Sequence, residues 1–240
     1  MRWLATLATF WRGWLTERRL SRRDVRFRST NPDIVRRAYA AMSAMEFEGI
    51  NGAQHWANHL LIPRALRGWS LGRPWRIVDL GCGTGGSTGI LTRHAVPGST
   101  VIGYDMCAGL LDHARSRTYC DRANGIVPSE FVRQSIVTTL HDQQGKPLPA
   151  SSVDVAHSAG VVGHHLNEDA VRVLAGELRR VLTPGGVAIL DAGPRLPAHR
   201  LQQAMAASGF EVVSTHRLVP FASRATMVFC LAGAMASRSA

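Results

Sequence analysis

The stretch with the clearest chemical content is Asp79-Leu80-Gly81-Cys82-Gly83-Thr84-Gly85-Gly86, where an apolar run starting at Ile77 gives way to four glycines in six residues. Glycine lets the backbone approach a ligand closely and take φ angles denied to side chains, so this turn reads as a cradle for something bulky. The same residues satisfy Gly-x-Gly-x-x-Gly, a weak dinucleotide signature. Asp79 argues the other way: a carboxylate facing the pocket two residues before the first glycine repels a pyrophosphate and attracts a cation. Asp105 ends the next apolar run, Val101-Ile102-Gly103-Tyr104, where a carboxylate can accept hydrogen bonds from both hydroxyls of a ribose. The alternative for Asp105 is a cap on the helix that follows.

A second group of reactive side chains lies in Gly160-Val161-Val162-Gly163-His164-His165-Leu166. Histidine suits general-base work near neutral pH, which makes His164 and His165 the candidates if an acceptor must lose a proton. Positioning a substrate or satisfying local backbone groups is the competing role. His157, His164 and His165 fall close together, but no second set of ligands at helical spacing accompanies them, and no metal is expected. Tyr39 and Trp56 are candidate walls of an acceptor pocket, with plain core as the alternative for each.

Elements must hold these residues in place. From Trp75 onward, strand-like runs (76–80, 100–104, 130–134, 153–157, 187–190) alternate with helical stretches (85–94, 108–118, 167–182, 197–208). That alternation predicts an α/β fold, a seven-stranded, mostly parallel sheet with helices on both faces. The last two runs, 210–218 and 226–231, have only a short Pro-containing turn between them, so they should form a C-terminal antiparallel hairpin. Upstream, Asn31-Pro32-Asp33 opens a helix expected to run to about Glu48, and a further helix covers 54–66; together they form N-terminal cap helices. The expected organisation is an arm over 1–30, a helical cap over 31–72 and a catalytic unit over 73–240.

The arm has its own chemistry. Trp3, Leu4, Leu7, Trp11, Trp14 and Leu15 recur at helical spacing, and ten arginines against three acids fall within Met1–Arg37 of a chain whose net charge is +11. A Trp-rich face beside arginines is the composition of helices lying in a membrane interface; docking on its own domain or on a second subunit is the alternative. No run reaches the roughly 18 apolar residues needed to cross a bilayer, Arg12 interrupts any secretory signal, and four singly placed cysteines form no disulfide framework. A cytoplasmic protein, at most peripheral at the membrane surface, is expected.

Three segments in order resemble the motifs of class I (Rossmann-like) S-adenosylmethionine (SAM) dependent methyltransferases, especially the small-molecule branch: Val78–Gly85, Gly103-Tyr104-Asp105, and Leu178-Arg179-Arg180-Val181-Leu182-Thr183-Pro184-Gly185-Gly186. The likeness runs from about Ile34 to Leu231. It implies that Asp79 and the backbone of Gly81, Cys82 and Gly83, with Gly85 completing the turn, hold the methionine moiety of SAM. It places Asp105 on the ribose and Met106 against the adenine. In the family an acid near the end of the third strand often meets the adenine amino group; here Ser135 takes that place, beside Ile136. The end of the fourth strand, at Ser158, would face the transferring methyl group.

The resemblance implies in-line methyl transfer to a small-molecule acceptor, lipid-soluble or natural-product chemistry included, with no covalent enzyme intermediate. Nucleic acid is the less favoured partner. No Pro-Pro-aromatic run follows the fourth strand, and no cysteine lies between Cys120 and Cys230 to act as a C5-methylation nucleophile. An RNA methyltransferase or RNA-binding protein using Arg18 to Arg28, and a non-catalytic SAM-binding module, are the alternatives. The acceptor atom and the oligomeric state stay open, a homodimer included.

Overall fold

The computed structural model describes residues 2–28, 31–67, 69, 73–218 and 224–233, with the backbone alone over 2–10 and at 32. Four helices come first: α1 (Arg2–Arg22), α2 (Pro32–Ala40), α3 (Ala44–Ile50) and α4 (Gly52–Ala65). The order then continues as β1 (Arg76–Leu80), α5 (Gly86–Thr92), β2 (Thr100–Asp105), α6 (Ala108–Arg115), β3 (Ser129–Arg133) and β4 (Val153–Ser158). After these come α7 (Val162–His165), α8 (Glu168–Val181), β5 (Leu182–Ala192), α9 (Ala198–Ala206), β6 (Phe210–His216) and β7 (Ala225–Leu231).

Seven strands form one sheet in the order β3-β2-β1-β4-β5-β7-β6, parallel from β3 to β5 and antiparallel at β5–β7 and β7–β6. Alternate side chains of the strands feed two hydrophobic clusters. Val78, Leu80, Ile102 and Tyr104 pack with Leu174, Leu178, Leu201 and Met205 of α8 and α9. Ile77, Val101, Val155 and Val187 pack with Ile62, Ile90 and Leu111 of α4, α5 and α6. This period-two division gives the helices on both faces. The chain winds outward from β1 to β3 and then returns to lay β4 on the other side of β1, so the strand order reverses at β1/β4. In open α/β sheets that reversal leaves a crevice beyond the carboxyl ends of the two strands, where ligands bind.

Some boundaries differ from the sequence reading. The helix expected from Pro32 to Glu48 is two, because Ser43 starts α3 with a capping box: its hydroxyl accepts from Glu46 N–H, and the Glu46 carboxylate accepts from Ser43 N–H at 3.0 Å. Strand β5 is far longer than 187–190. It takes in Thr183-Pro184-Gly185-Gly186, and an irregular register against β4 between Val153 and Val155 absorbs the extra residues. Helix α1 continues through the arginines to Arg22 and packs on α3 and α4. Gly13 comes so close to α3 that a Cβ on it would stand 3.1 Å from the Gly49 carbonyl, and Leu20 is fully buried. Among the described residues no helix is long and apolar enough to cross a membrane.

Candidate active site

The glycine turn lies at the β1 end of the crevice and is fixed by its neighbour strand. Gly81 N–H and Cys82 N–H both donate to the Tyr104 carbonyl, at 2.7 and 2.9 Å. Two glycines are required by position. Gly81 has φ +76°, and a Cβ there would lie 2.3 Å from Val161 Cγ2 of the loop after β4. Gly83 has φ +53°, and its Cβ would lie 2.5 Å from the ring of Phe47 in α3. The turn is therefore pressed between the β4 loop and a cap helix, with bare backbone exposed to whatever enters.

Two cavities meet at this turn. The larger, about 210 Å³, is lined by Asp105, Met106, Ser135, Ile136, Tyr39 and His165, with Arg36 and Arg195 also in its wall. The smaller, about 180 Å³ and more polar, is lined by Cys82, Thr84, Ser87, His55, Asn58 and Arg117. Phe47, Asn51, Gly81 and Ala159 border both.

Asp105 closes β2 with its carboxylate fixed by backbone donors: Gly83 N–H to Oδ2 at 3.0 Å and Cys107 N–H to Oδ1 at 2.9 Å. Burial pushes its pKa up, and these amides hold it down in part. Each oxygen retains a lone pair, so the group can accept from a vicinal diol at the cavity wall. The Cys107 bond is the helix-start contact weighed for Asp105, and the same carboxylate also lines the larger cavity. Met106, 45% exposed, offers an apolar shelf beside it.

Other sequence-predicted residues are placed differently. Asp79 lines neither cavity and is 1% exposed. Its Oδ1 is 2.8 Å from His157 Nδ1, and its Oδ2 accepts from the hydroxyls of Ser87 at 2.8 Å and Thr88 at 2.6 Å. The expected carboxylate open to a cation is instead the centre of a buried cluster that ties β1, β4 and α5 together. Ser158 is also buried and lines neither cavity, and its hydroxyl donates to the Leu80 carbonyl at 2.9 Å, joining β4 to β1. Gly85 lines neither cavity. It makes room for Tyr119, whose hydroxyl lies 2.0 Å from where a Cβ would be. Trp56 lines neither cavity and is 47% exposed, whereas Tyr39 is in the wall of the larger.

The two candidate histidines separate. His165 reaches the cavity, with Nε2 3.3 Å from the Tyr39 hydroxyl. Burial and then the nearby Arg195 lower its pKa, while burial, followed by the Asp105 charge, pushes the Tyr39 phenol up to about 12. His164 does not line the cavity. Its Nε2 is 3.6 Å from Asp191 Oδ2, and burial, with Arg224 and His165 adding to it, lowers its pKa to about 4. Burial raises Asp191 to about 6 against the Gly160 amide, which donates to it at 2.9 Å. Ser87, Thr88, Phe47 and Arg195 were not singled out by sequence, and His157 was weighed only as a metal ligand. Ser87-Thr88 directly after the glycines is the one local signal that a hydroxyl pair could reach back to Asp79.

A switch-point crevice, a backbone cradle and a carboxylate at the end of β2 able to accept from a diol make a site for a nucleoside-bearing cofactor on the fold of the class I, Rossmann-like methyltransferases. The bare backbone at Gly81 and the Asp105–Met106 shelf fit that group. Residues 77–186 match the methyltransferase domain family. Trans-aconitate 2-methyltransferase of Methylobacterium nodulans is 31% identical over 172 residues, 70% of this chain and 52% of that protein. Across the curated relatives the aligned share of the relative runs from 27% to 52%, so the chain spans about half of their length or less. Among solved structures, a SAM-dependent methyltransferase of Leishmania major superposes with TM-score 0.62 at 15% identity over 80% of this chain and 79% of that one. Magnesium protoporphyrin IX methyltransferase of Synechocystis PCC 6803, solved with bound SAM, gives 0.56 at 16% identity over 87% and 94%.

Proposed function

We propose that this protein transfers a methyl group from SAM to a small-molecule acceptor held in the larger cavity. The observation that carries the reading is that one cavity is lined by Asp105 and Met106, by Tyr39 and His165, and by Gly81 of the glycine turn. The relative named for trans-aconitate supports a small organic acceptor. When bound, SAM supplies an activated methyl group and its own leaving group, so the chain's task is positioning and the exclusion of water. Asp105 and the Met106 shelf orient the nucleoside end, and the amides of the glycine turn hold the middle. Tyr39 and Phe47, from α2 and α3, cover the acceptor side. Of the two histidines, His165 is the one that meets the acceptor. The test is calorimetric titration with S-adenosylhomocysteine and, separately, NADH. Micromolar or tighter binding of the first and none of the second is expected, and the reverse would sink the reading.

The arm supports a second, compatible proposal: contact with an anionic membrane surface, from which a lipid-soluble acceptor is drawn. Gly13, Thr16 and Leu20 lie toward the cap. Trp11, 62% exposed, Trp14, Arg18 and Arg22 share the opposite side of α1, and Arg18 stands 4.7 Å over the Trp14 ring. Indole rings and guanidinium groups on one stripe match an interface of acyl chains and acidic headgroups. Full-length protein should co-sediment with phosphatidylglycerol vesicles and lose this on Trp11→Ala/Trp14→Ala substitution. Binding to RNA but not to vesicles would favour the nucleic-acid alternative.

A further inference from the structure

We infer that His55 and His59, one turn apart on α4, form a two-point site for a divalent transition metal of the zinc, nickel or copper type beside the smaller cavity, independently of the methyl-transfer reading. In His55-Trp56-Ala57-Asn58-His59 the two imidazoles are four residues apart, so they lie on one face of the helix. That is the spacing at which helical histidine pairs hold zinc in metalloproteases. Position 56 is tryptophan where those enzymes carry their glutamate base, so the pair suits binding and not metal-assisted hydrolysis.

The geometry adds to the spacing. The two Nε2 atoms are 3.2 Å apart, with ring centroids 4.7 Å apart and ring planes at 85°. A metal bonded to two imidazole nitrogens at about 2.0–2.1 Å, with about 90–109° between the bonds, needs those nitrogens about 2.8–3.4 Å apart. The pair already stands at that separation, and a metal can replace the proton that joins the two rings. Both side chains are open to solvent, so an ion can reach them. Partial burial, then the neighbouring His59 and Arg117, lower the His55 pKa against Glu48, which keeps its lone pairs available near neutral pH. Arg117 and Glu48 also pair with each other at 2.6 Å, so little net positive charge opposes a cation.

Among the described residues no third histidine, cysteine, aspartate or glutamate joins the pair. The remaining coordination positions fall to water, which makes the ion exchangeable, in contrast to the closed four-ligand sites of structural zinc. The location gives the site a consequence. His55 lines the smaller cavity, and its Nδ1 is 3.1 Å from where a Cβ on Gly86 would be, the residue with which the glycine turn enters α5. An ion on the two Nε2 atoms leaves the His55 proton on Nδ1 and fixes that ring against the turn, so occupancy of the site is felt at the cavity wall.

Calorimetric titration of metal-stripped full-length protein with zinc, nickel and magnesium chlorides tests this. Zinc and nickel should each bind at one site per chain with micromolar affinity, and magnesium should not, since imidazole suits the first two and oxygen donors the third. His59→Ala and His55→Ala should each weaken zinc binding at least tenfold. His113→Ala, whose ring in the parent lies 3.6 Å from Glu48, should leave it unchanged. Absence of zinc binding, magnesium binding as tight as zinc, zinc affinity that survives either substitution in the pair, or an equal loss in His113→Ala would each overturn the proposal. Should His55→Ala fail to fold, His59→Gln, at an exposed position of α4, decides it by the same zinc affinity.

Discussion

Replacing Asp79 with alanine separates two roles for this residue, ligand recognition and internal tether. In the structure the carboxylate serves three donors. Removing it strands the ring nitrogen of His157 and the hydroxyl of Thr88, both fully buried, whereas half-buried Ser87 can turn to water. A buried polar group left without a partner costs about 1–3 kcal/mol, so two of them, together with the lost bond to Ser87, amount to about 3–5 kcal/mol. For a chain of 240 residues each kcal/mol lowers Tm by roughly 2–4 °C, which places the melting point of Asp79→Ala roughly 6–20 °C below the parent. Ser87→Ala, which strands nothing, should cost less than about 1 kcal/mol. Differential scanning fluorimetry backed by urea unfolding reads both. If Asp79→Ala melts within about 2 °C of the parent while S-adenosylhomocysteine binding disappears, the tether argument is wrong and the carboxylate faces the ligand after all.

Asp105→Ala should weaken S-adenosylhomocysteine binding by about 1.5–3 kcal/mol, roughly 10- to 150-fold, through lost hydrogen bonds to a charged acceptor; unchanged calorimetric affinity would refute the ribose assignment. Gly85→Ala must accept φ +79° and a Cβ 2.0 Å from the Tyr119 hydroxyl, and should cost about 2–4 kcal/mol in urea unfolding, so a cost under about 1 kcal/mol would contradict the packing described. Gly176→Ala, in the interior of α8 with nothing within 4 Å of the added carbon, should stabilise by about 0.5–1 kcal/mol, and a loss of stability in the same assay would contradict that open space. His164 has its pKa lowered by burial from the usual 6.5 to about 4, so between these values the unfolded chain binds the proton and the folded one does not. Its contribution to stability is therefore present above about pH 6.5 and lost as pH falls toward 4; the parent should lose stability relative to His164→Gln across that window, and a constant difference would show that the histidine is not desolvated.

The sequence by itself determined the sheet, the order of its strands along the chain, and five residues that line the larger cavity. Period-two runs, glycine turns and strand-terminal acids are local features, and local backbone chemistry fixes what they become: Gly81, Asp105, Met106, Ser135 and Ile136 all face the larger cavity. What the sequence could not decide was which side chains meet across strands far apart in the chain. Asp79 and His157 are 78 residues apart, yet β1 and β4 are neighbours in register with these two residues opposite each other, so parallel pairing turns both to one face and joins them. The same distant pairing puts Ser158 on the Leu80 carbonyl, and the packing of α7 against β5 sends His164 to Asp191 while His165 turns to Tyr39. Adjacent histidines in a helix point about 100° apart, and only the surroundings supplied by the folded sheet choose which of them faces an acceptor.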